Sequence, residues 1–184
     1  MLERWSGIWY NGRESGHGKR SAPPARETAS LTPEKPAGPG QRTEKGADGM
    51  ERYRVLLVDD EEEIRAGISR KIDWDSLGFT LAGEADNGEE ALELAELVRP
   101  DVVLTDIKMP FMDGLELCRR LKRILPAAKT VVFSGFDDFE YARQAVGMGV
   151  SEYIMKPINA QEMSGVLLRL KDQLDQQQAE RRGM

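Results

Sequence analysis

The stretch from Asp101 to Pro110, Asp-Val-Val-Leu-Thr-Asp-Ile-Lys-Met-Pro, constrains this chain more than any other. Val102, Val103 and Leu104 form a short apolar run without alternation, the pattern of a strand buried on both faces of a parallel sheet. Pro100 ends the helix before the run and Pro110 ends the strand itself, so both edges are hard. Asp106 stands at its far end. A carboxylate one step beyond a buried strand lies at the sheet's carboxyl edge, where open α/β sheets bind their ligands.

Similar runs recur on both sides. Val55 to Val58 is a first buried strand ending in Asp59 and Asp60, and Glu61, Glu62 and Glu63 load the start of a helix with negative charge that its dipole favours. Ile64, Ile68 and Ile72 mark one face of that helix. Phe79 to Ala85 is a second strand; Asp86-Asn87-Gly88 turns and caps a helix with Ala91, Leu94, Ala95 and Val98 on one side. The strand ending in Asp106 comes third, and Leu117, Leu121 and Ile124 place the next helix on the sheet. Thr130 to Phe133 is a fourth strand ending in Ser134-Gly135. A helix from about Asp138 to Val146 leads to a fifth strand, Glu152 to Met155, ending in Lys156-Pro157. Asn159 and Glu162 form a capping-box pair for a last helix carrying Met163, Val166, Leu167, Leu170 and Leu174. Strict alternation of strand and helix predicts a three-layer α/β fold, a parallel sheet with right-handed crossovers and helices on both faces.

Composition separates this unit from the segment before it. Residues 1–50 carry 8 Lys or Arg against 6 Asp or Glu, whereas residues 51–184 carry 18 against 26. An acidic folded unit argues against a nucleic-acid surface. Cys118 is the only cysteine and has no partner for an intramolecular disulfide, which fits a reducing cytoplasm. No apolar run reaches the length of a membrane span, and His17, the only histidine, precedes the folded unit. Residues 1–50 are expected to be a disordered low-complexity extension, with Trp5, Ile8, Trp9 and Tyr10 as an aromatic knot and Met50 as an alternative translation start. The domain is expected over 51–175, and 176–184 as a polar tail or the start of a linker.

Four of the five strands hand over to polar residues at one end: Asp59 and Asp60, Asp106, Ser134, and Lys156. Parallel strands share a carboxyl edge, so these side chains can converge. Three carboxylates a few ångströms apart repel one another unless a cation sits among them, and an oxygen-only cluster suits Mg²⁺. Asp106 is then a nucleophile toward a phosphoryl group whose oxygens Mg²⁺, Lys156 and the Ser134 hydroxyl can hold. No positioned general base for water is visible, so turnover is expected to be slow, the site storing a phosphoryl group more readily than hydrolysing it.

Leu56-Leu57-Val58-Asp59-Asp60-Glu61, Asp106-Ile107-Lys108-Met109-Pro110 with Asp113-Gly114, Ser134-Gly135 and Tyr153-Ile154-Met155-Lys156-Pro157 together resemble the receiver domain of two-component response regulators. The resemblance covers roughly residues 53–174. It implies a flavodoxin-like (βα)5 sandwich with strand order 2-1-3-4-5, and Asp106 as the phosphoacceptor for a sensor histidine kinase. It further implies Mg²⁺ held by Asp60, Asp106 and the Lys108 backbone carbonyl, with Asp59 acting through water. Ser134 and Tyr153 match the family's switch pair, Lys156 the lysine that pairs with the phosphoryl group, and Lys156-Pro157 a candidate cis peptide. The switch would remodel the face of the fourth helix, fifth strand and last helix, where such domains often form homodimers.

Lys71-Ile72-Asp73-Trp74 with Gly78-Phe79, and the run from Gly135 to Ala142, resemble receivers joined to AraC-type helix-turn-helix domains. Contact with DNA is expected only through a C-terminal domain beyond Met184. Two rival readings remain. A small Mg²⁺-dependent aspartyl phosphatase commonly carries a second Asp two residues after its nucleophile, where this chain has Lys108; a non-phosphorylated interaction module would keep the fold and lose the chemistry.

Overall fold

The apolar runs become five parallel strands in the computed structural model, which describes residues 44–45, 51–135 and 139–184. They are β1 Glu51–Val58, β2 Phe79–Ala85, β3 Val102–Asp106, β4 Lys129–Ser134 and β5 Glu152–Met155. Their order across the sheet is β2-β1-β3-β4-β5, the flavodoxin-like arrangement that the motifs implied. The helices between them are α1 Glu62–Lys71, α2 Gly88–Val98, α3 Gly114–Ile124, α4 Phe139–Met148 and α5 Ala160–Gly183, with a single helical turn at Trp74–Leu77.

The period-two geometry of a strand explains why the runs had no alternation: both faces are covered. Val55 and Leu57 of β1 point to one side, into a core with Ile68 of α1, Ile72 just after it, and Met163, Val166, Leu167, Leu170 and Leu174 of α5. Leu56 and Val58 point to the other, against Ala91 and Ala95 of α2 and Leu117 and Leu121 of α3. Side-chain caps stand at Asn87 and Asn159, where the sequence indicated them, and also at Asp113; Asn159 acts through Gln161 rather than through the expected partner Glu162. Asn87 accepts from the Glu89 and Glu90 N–H groups, Asp113 from Glu116, and Asn159 from Gln161.

Several details differ from the sequence reading. β1 begins at Glu51 rather than Val55, because Tyr53 is buried and packs on Phe79 with ring centroids 5.9 Å apart. Glu51 and Arg52 precede the first residue that β1 pairs with β2 or β3, and that open edge takes Glu44–Lys45 as an antiparallel pair. The expected disorder of residues 1–50 therefore does not hold at those two; the aromatic knot and Met50 lie outside the described residues. Ile124 is exposed, and Leu125 covers the core in its place, continuing the fourfold spacing of Leu117 and Leu121. The last helix does not end near Leu174 but runs on to Gly183, so the expected polar tail is helical. Its extra turns contain no Gly or Pro before Gly183 and are built largely from Gln, Ala, Glu and Arg, all good helix formers. No described helix is long and apolar enough to cross a membrane.

Candidate functional site

β3 delivers Asp106 to the carboxyl edge of the sheet, in register with Phe133 of β4. Its Oδ1 accepts from the Ile107 N–H at 2.8 Å, and the Thr105 hydroxyl donates to its carbonyl at 2.9 Å. The loop after β3 folds back tightly: Gly114 N–H donates to the Ile107 carbonyl at 2.8 Å, and a Cβ on Gly114 would lie 2.0 Å from the Asp106 carbonyl oxygen. Glycine is thus required where α3 begins, because its backbone presses on the strand end that carries the carboxylate.

β1 delivers Asp59 beside it. Asp59 is fully buried, its Oδ1 accepts from the Glu61 N–H at 2.9 Å, and Arg65 of α1 reaches its backbone carbonyl at 2.5 Å. From the opposite side, the Lys156 N–H binds the Ser134 carbonyl at 2.7 Å and sets the residue at the end of β5. The Lys156–Pro157 peptide is cis, as the motif implied. Lys156 Nζ lies 3.1 Å from Asp59 Oδ2, 3.1 Å from Asp106 Oδ2 and 3.6 Å from Glu61 Oε1. Oxygen atoms of Asp59, Glu61 and Asp106 all fall within 4.8 Å of one another.

This concentration of charge is visible in the acid–base behaviour. Burial pushes the Asp106 carboxyl above its ordinary range; the Lys156 ammonium pulls it down and the Asp59 charge pushes it up further. Asp59 is also raised by burial, against the Glu61 N–H bond and the Lys156 charge. Burial opposes the charge on Lys156, yet Asp106 and Asp59 together hold its ammonium above the ordinary lysine value. The pocket therefore contains more negative charge than its single ammonium offsets. An all-oxygen donor set this closely spaced fits a hard divalent cation.

Ser134, at the end of β4, is buried; its hydroxyl donates to the Gly135 carbonyl at 3.1 Å and is in a short hydrogen bond with the Tyr153 hydroxyl of β5. The Tyr153 ring packs on Ile107, Cys118 and Val132. Asp59, Asp106 and Lys156 are thus brought together as the strand ends suggested, with Ser134 and Tyr153 joined to each other on the adjacent strands. Two residues are not drawn in. Asp60 is exposed and stands outside the three clustered carboxylates, and the Lys108 side chain is exposed in the loop after β3. The sequence gives Glu61 a place at the helix start and at the end of the first motif, but no role in the pocket. The signal that could have found it is chemical: Glu61 occupies the N-cap of α1, where Ser, Thr, Asp or Asn is usual.

Comparison with known proteins agrees with this geometry. The response regulator receiver domain matches residues 55–167, more than half of the chain. The chain belongs to the response regulator receiver domain family. Within it, this receiver is 43% identical over 125 residues to the uncharacterized transcriptional regulatory protein YesN of Bacillus subtilis, covering 68% of this chain and 34% of that protein. It is 32% identical over 128 residues to the transcriptional regulatory protein HptR of Staphylococcus aureus, covering 70% and 50%. Among solved structures, the REC domain of the response regulator AraT from Geobacillus stearothermophilus superposes with a TM-score of 0.66 at 41% identity, over 68% of this chain and 98% of that one. A two-component transcriptional regulator AraC from Clostridium phytofermentans gives 0.65 at 35% identity, over 69% and 98%. The receiver thus spans about a third to a half of the curated relatives it matches and nearly all of the solved domains.

Proposed function

We propose that this receiver accepts a phosphoryl group on Asp106 from the phosphohistidine of a sensor histidine kinase and passes the event on through Ser134 and Tyr153. The observation that carries the reading is the meeting of Asp59, Asp106 and Lys156, each carboxylate 3.1 Å from the ammonium, at the edge where parallel sheets bind ligands. In the transfer an Asp106 carboxylate oxygen forms the new bond to phosphorus. The phosphorus–nitrogen bond of the donor breaks, and its electron pair leaves with the imidazole. Lys156 is placed to pair with the phosphoryl oxygens once they lie on Asp106.

Asp106 and the Lys108 carbonyl would hold Mg²⁺, with Asp59 through water, and Asp60 would join them only by turning its side chain in from solvent. When bound, the ion supplies the positive charge that the acidic pocket lacks and that a transferring phosphoryl group requires. The Ser134 hydroxyl exchanges its bond with Tyr153 for one to the phosphoryl group, and the freed ring repacks. The readout face is then α4, β5 and α5, on which Val146, Met155 and Leu168 present exposed apolar side chains suited to a phosphorylation-dependent homodimer. The names of the relatives support a transcriptional output, and DNA would be contacted only through a further C-terminal domain, if one exists.

Acetyl phosphate with Mg²⁺ tests this reading. A receiver gains one phosphoryl group per chain and then turns over slowly; rapid multiple turnover would indicate a phosphatase instead. Absence of any incorporation would indicate an inert module.

A further inference from the structure

Each helix that starts with a side-chain cap in this receiver uses its N-cap oxygen on its own backbone: Asn87, Asp113 and Asn159 all do so, as does Asp73 at the single turn. Glu61 does not. It sits at the N-cap of α1 in extended conformation with no cap bond from its side chain, and its carboxylate turns instead toward Lys156. Its own N–H is fixed on Asp59, so the β1–α1 turn holds it against the pocket. It also differs from the other two carboxylates in burial. Its side chain is 62% exposed, against 0% for Asp59 and 8% for Asp106, which makes it the solvent-side wall of the site.

We infer that Glu61 is a positioning and gating residue, holding Lys156 in the resting receiver and opposing the entry of anionic phosphodonors. The inference rests on Asp106 being the phosphoacceptor. A phosphodonor arrives carrying negative charge, and the group it leaves on Asp106 must draw Lys156 toward itself. Both steps work against a carboxylate at the mouth that repels the donor and shares the same ammonium. The residue therefore sets how readily the site charges, without touching the reacting atoms.

The test is a charge series at this one position, Glu61→Asp, Glu61→Gln and Glu61→Lys, in the full chain at saturating Mg²⁺ with acetyl phosphate as donor. In each transfer the bond from phosphorus to the acetyl oxygen breaks, acetate leaves with the electron pair, and the Asp106 oxygen–phosphorus bond forms. Phosphorylation rates should rise in the order Glu, Gln, Lys, with Glu61→Gln about two- to fivefold faster, the range of an exposed ion pair. Glu61→Asp should stay within about twofold of the parent, since it keeps the charge. The differences should shrink as ionic strength rises, which a merely structural effect would not do. Equal rates across the series, or slower ones for Gln and Lys, overturn the assignment of Glu61. Failure of every variant, the parent included, to take up a phosphoryl group overturns the phosphoacceptor reading itself. Because Glu61 makes no cap bond, none of the substitutions removes one, so no thermal midpoint should fall well below the parent, and that measurement confirms that folded protein is being compared; Glu61→Asp, which can supply the missing cap, should if anything rise.

Discussion

The two ends of the sheet solve the problem of charge differently. At the amino end, Asp175 of α5 accepts the Tyr53 hydroxyl at 2.6 Å and the Lys171 ammonium at 2.6 Å, while Asp101 accepts the Arg54 N–H at 2.9 Å. Each acid there has its own donors. At the carboxyl end, two buried carboxylates and a third at the rim share one ammonium. One edge ties the last helix to the first strand. The other keeps negative charge in store, a cost to stability that a bound cation can relieve. The fold is tied down at the one edge and left electrostatically unfinished at the other, where Asp106 stands.

The largest effect should come from the joint that supports the site. Gly114→Ala drives a Cβ into the Asp106 carbonyl, and denaturant unfolding should show a loss on the order of 3 kcal/mol. Next comes a change of sign between the ends. In metal-free buffer Asp106→Asn should raise the unfolding free energy by about 1 kcal/mol, because it leaves Asp59 and Lys156 as a matched pair. Asp175→Asn, the same chemical change, should lower it by about 0.5 to 1 kcal/mol, allowing for the solvent exposure of that pair. A loss at both ends would remove the contrast.

The pH dependence sharpens the same point. Asp59 and Asp106 have carboxyls raised in the folded state, so their penalty is full above the raised values and fades as pH falls toward the ordinary 3.8. Asp175 behaves oppositely: burial pushes its carboxyl up, but the Lys171 and Tyr53 bonds outweigh that and hold it below the ordinary value, so its contribution disappears only in stronger acid. Thermal midpoints without metal should therefore peak on the acid side of neutrality. Mg²⁺ should lift the neutral side of that profile selectively and lose its effect as the pocket protonates; a uniform shift at all pH values would contradict this assignment of charge.

Much of this was legible in the chain, and the reasons are physical. A strand buried on both faces must be apolar at every position, so Val55 to Val58 and Val102 to Leu104 announced themselves, and parallel order then placed Asp59, Asp106, Ser134 and Lys156 on one edge. The parts that stayed hidden depended on torsions rather than on residue type. Three acids stand in a row at Asp59, Asp60 and Glu61; only side-chain direction brings the first and third to Lys156 and leaves the second in solvent. The length of α5 was obscured for another reason. Past Leu174 it buries little, so the apolar pattern ends while the backbone's helical preference continues.

The central claim is that one carboxylate, Asp106, carries the phosphoryl group. It can be tested directly by incubating the receiver with acetyl phosphate and Mg²⁺, trapping the acyl phosphate by borohydride reduction and locating the reduced residue by peptide mass spectrometry. The expected result is reduction at position 106 alone, abolished in Asp106→Asn, with Asp59 and Asp60 recovered as unmodified neighbours. A trapped residue at Asp59, Asp60 or Glu61, or equal trapping in the Asp106→Asn protein, would contradict it.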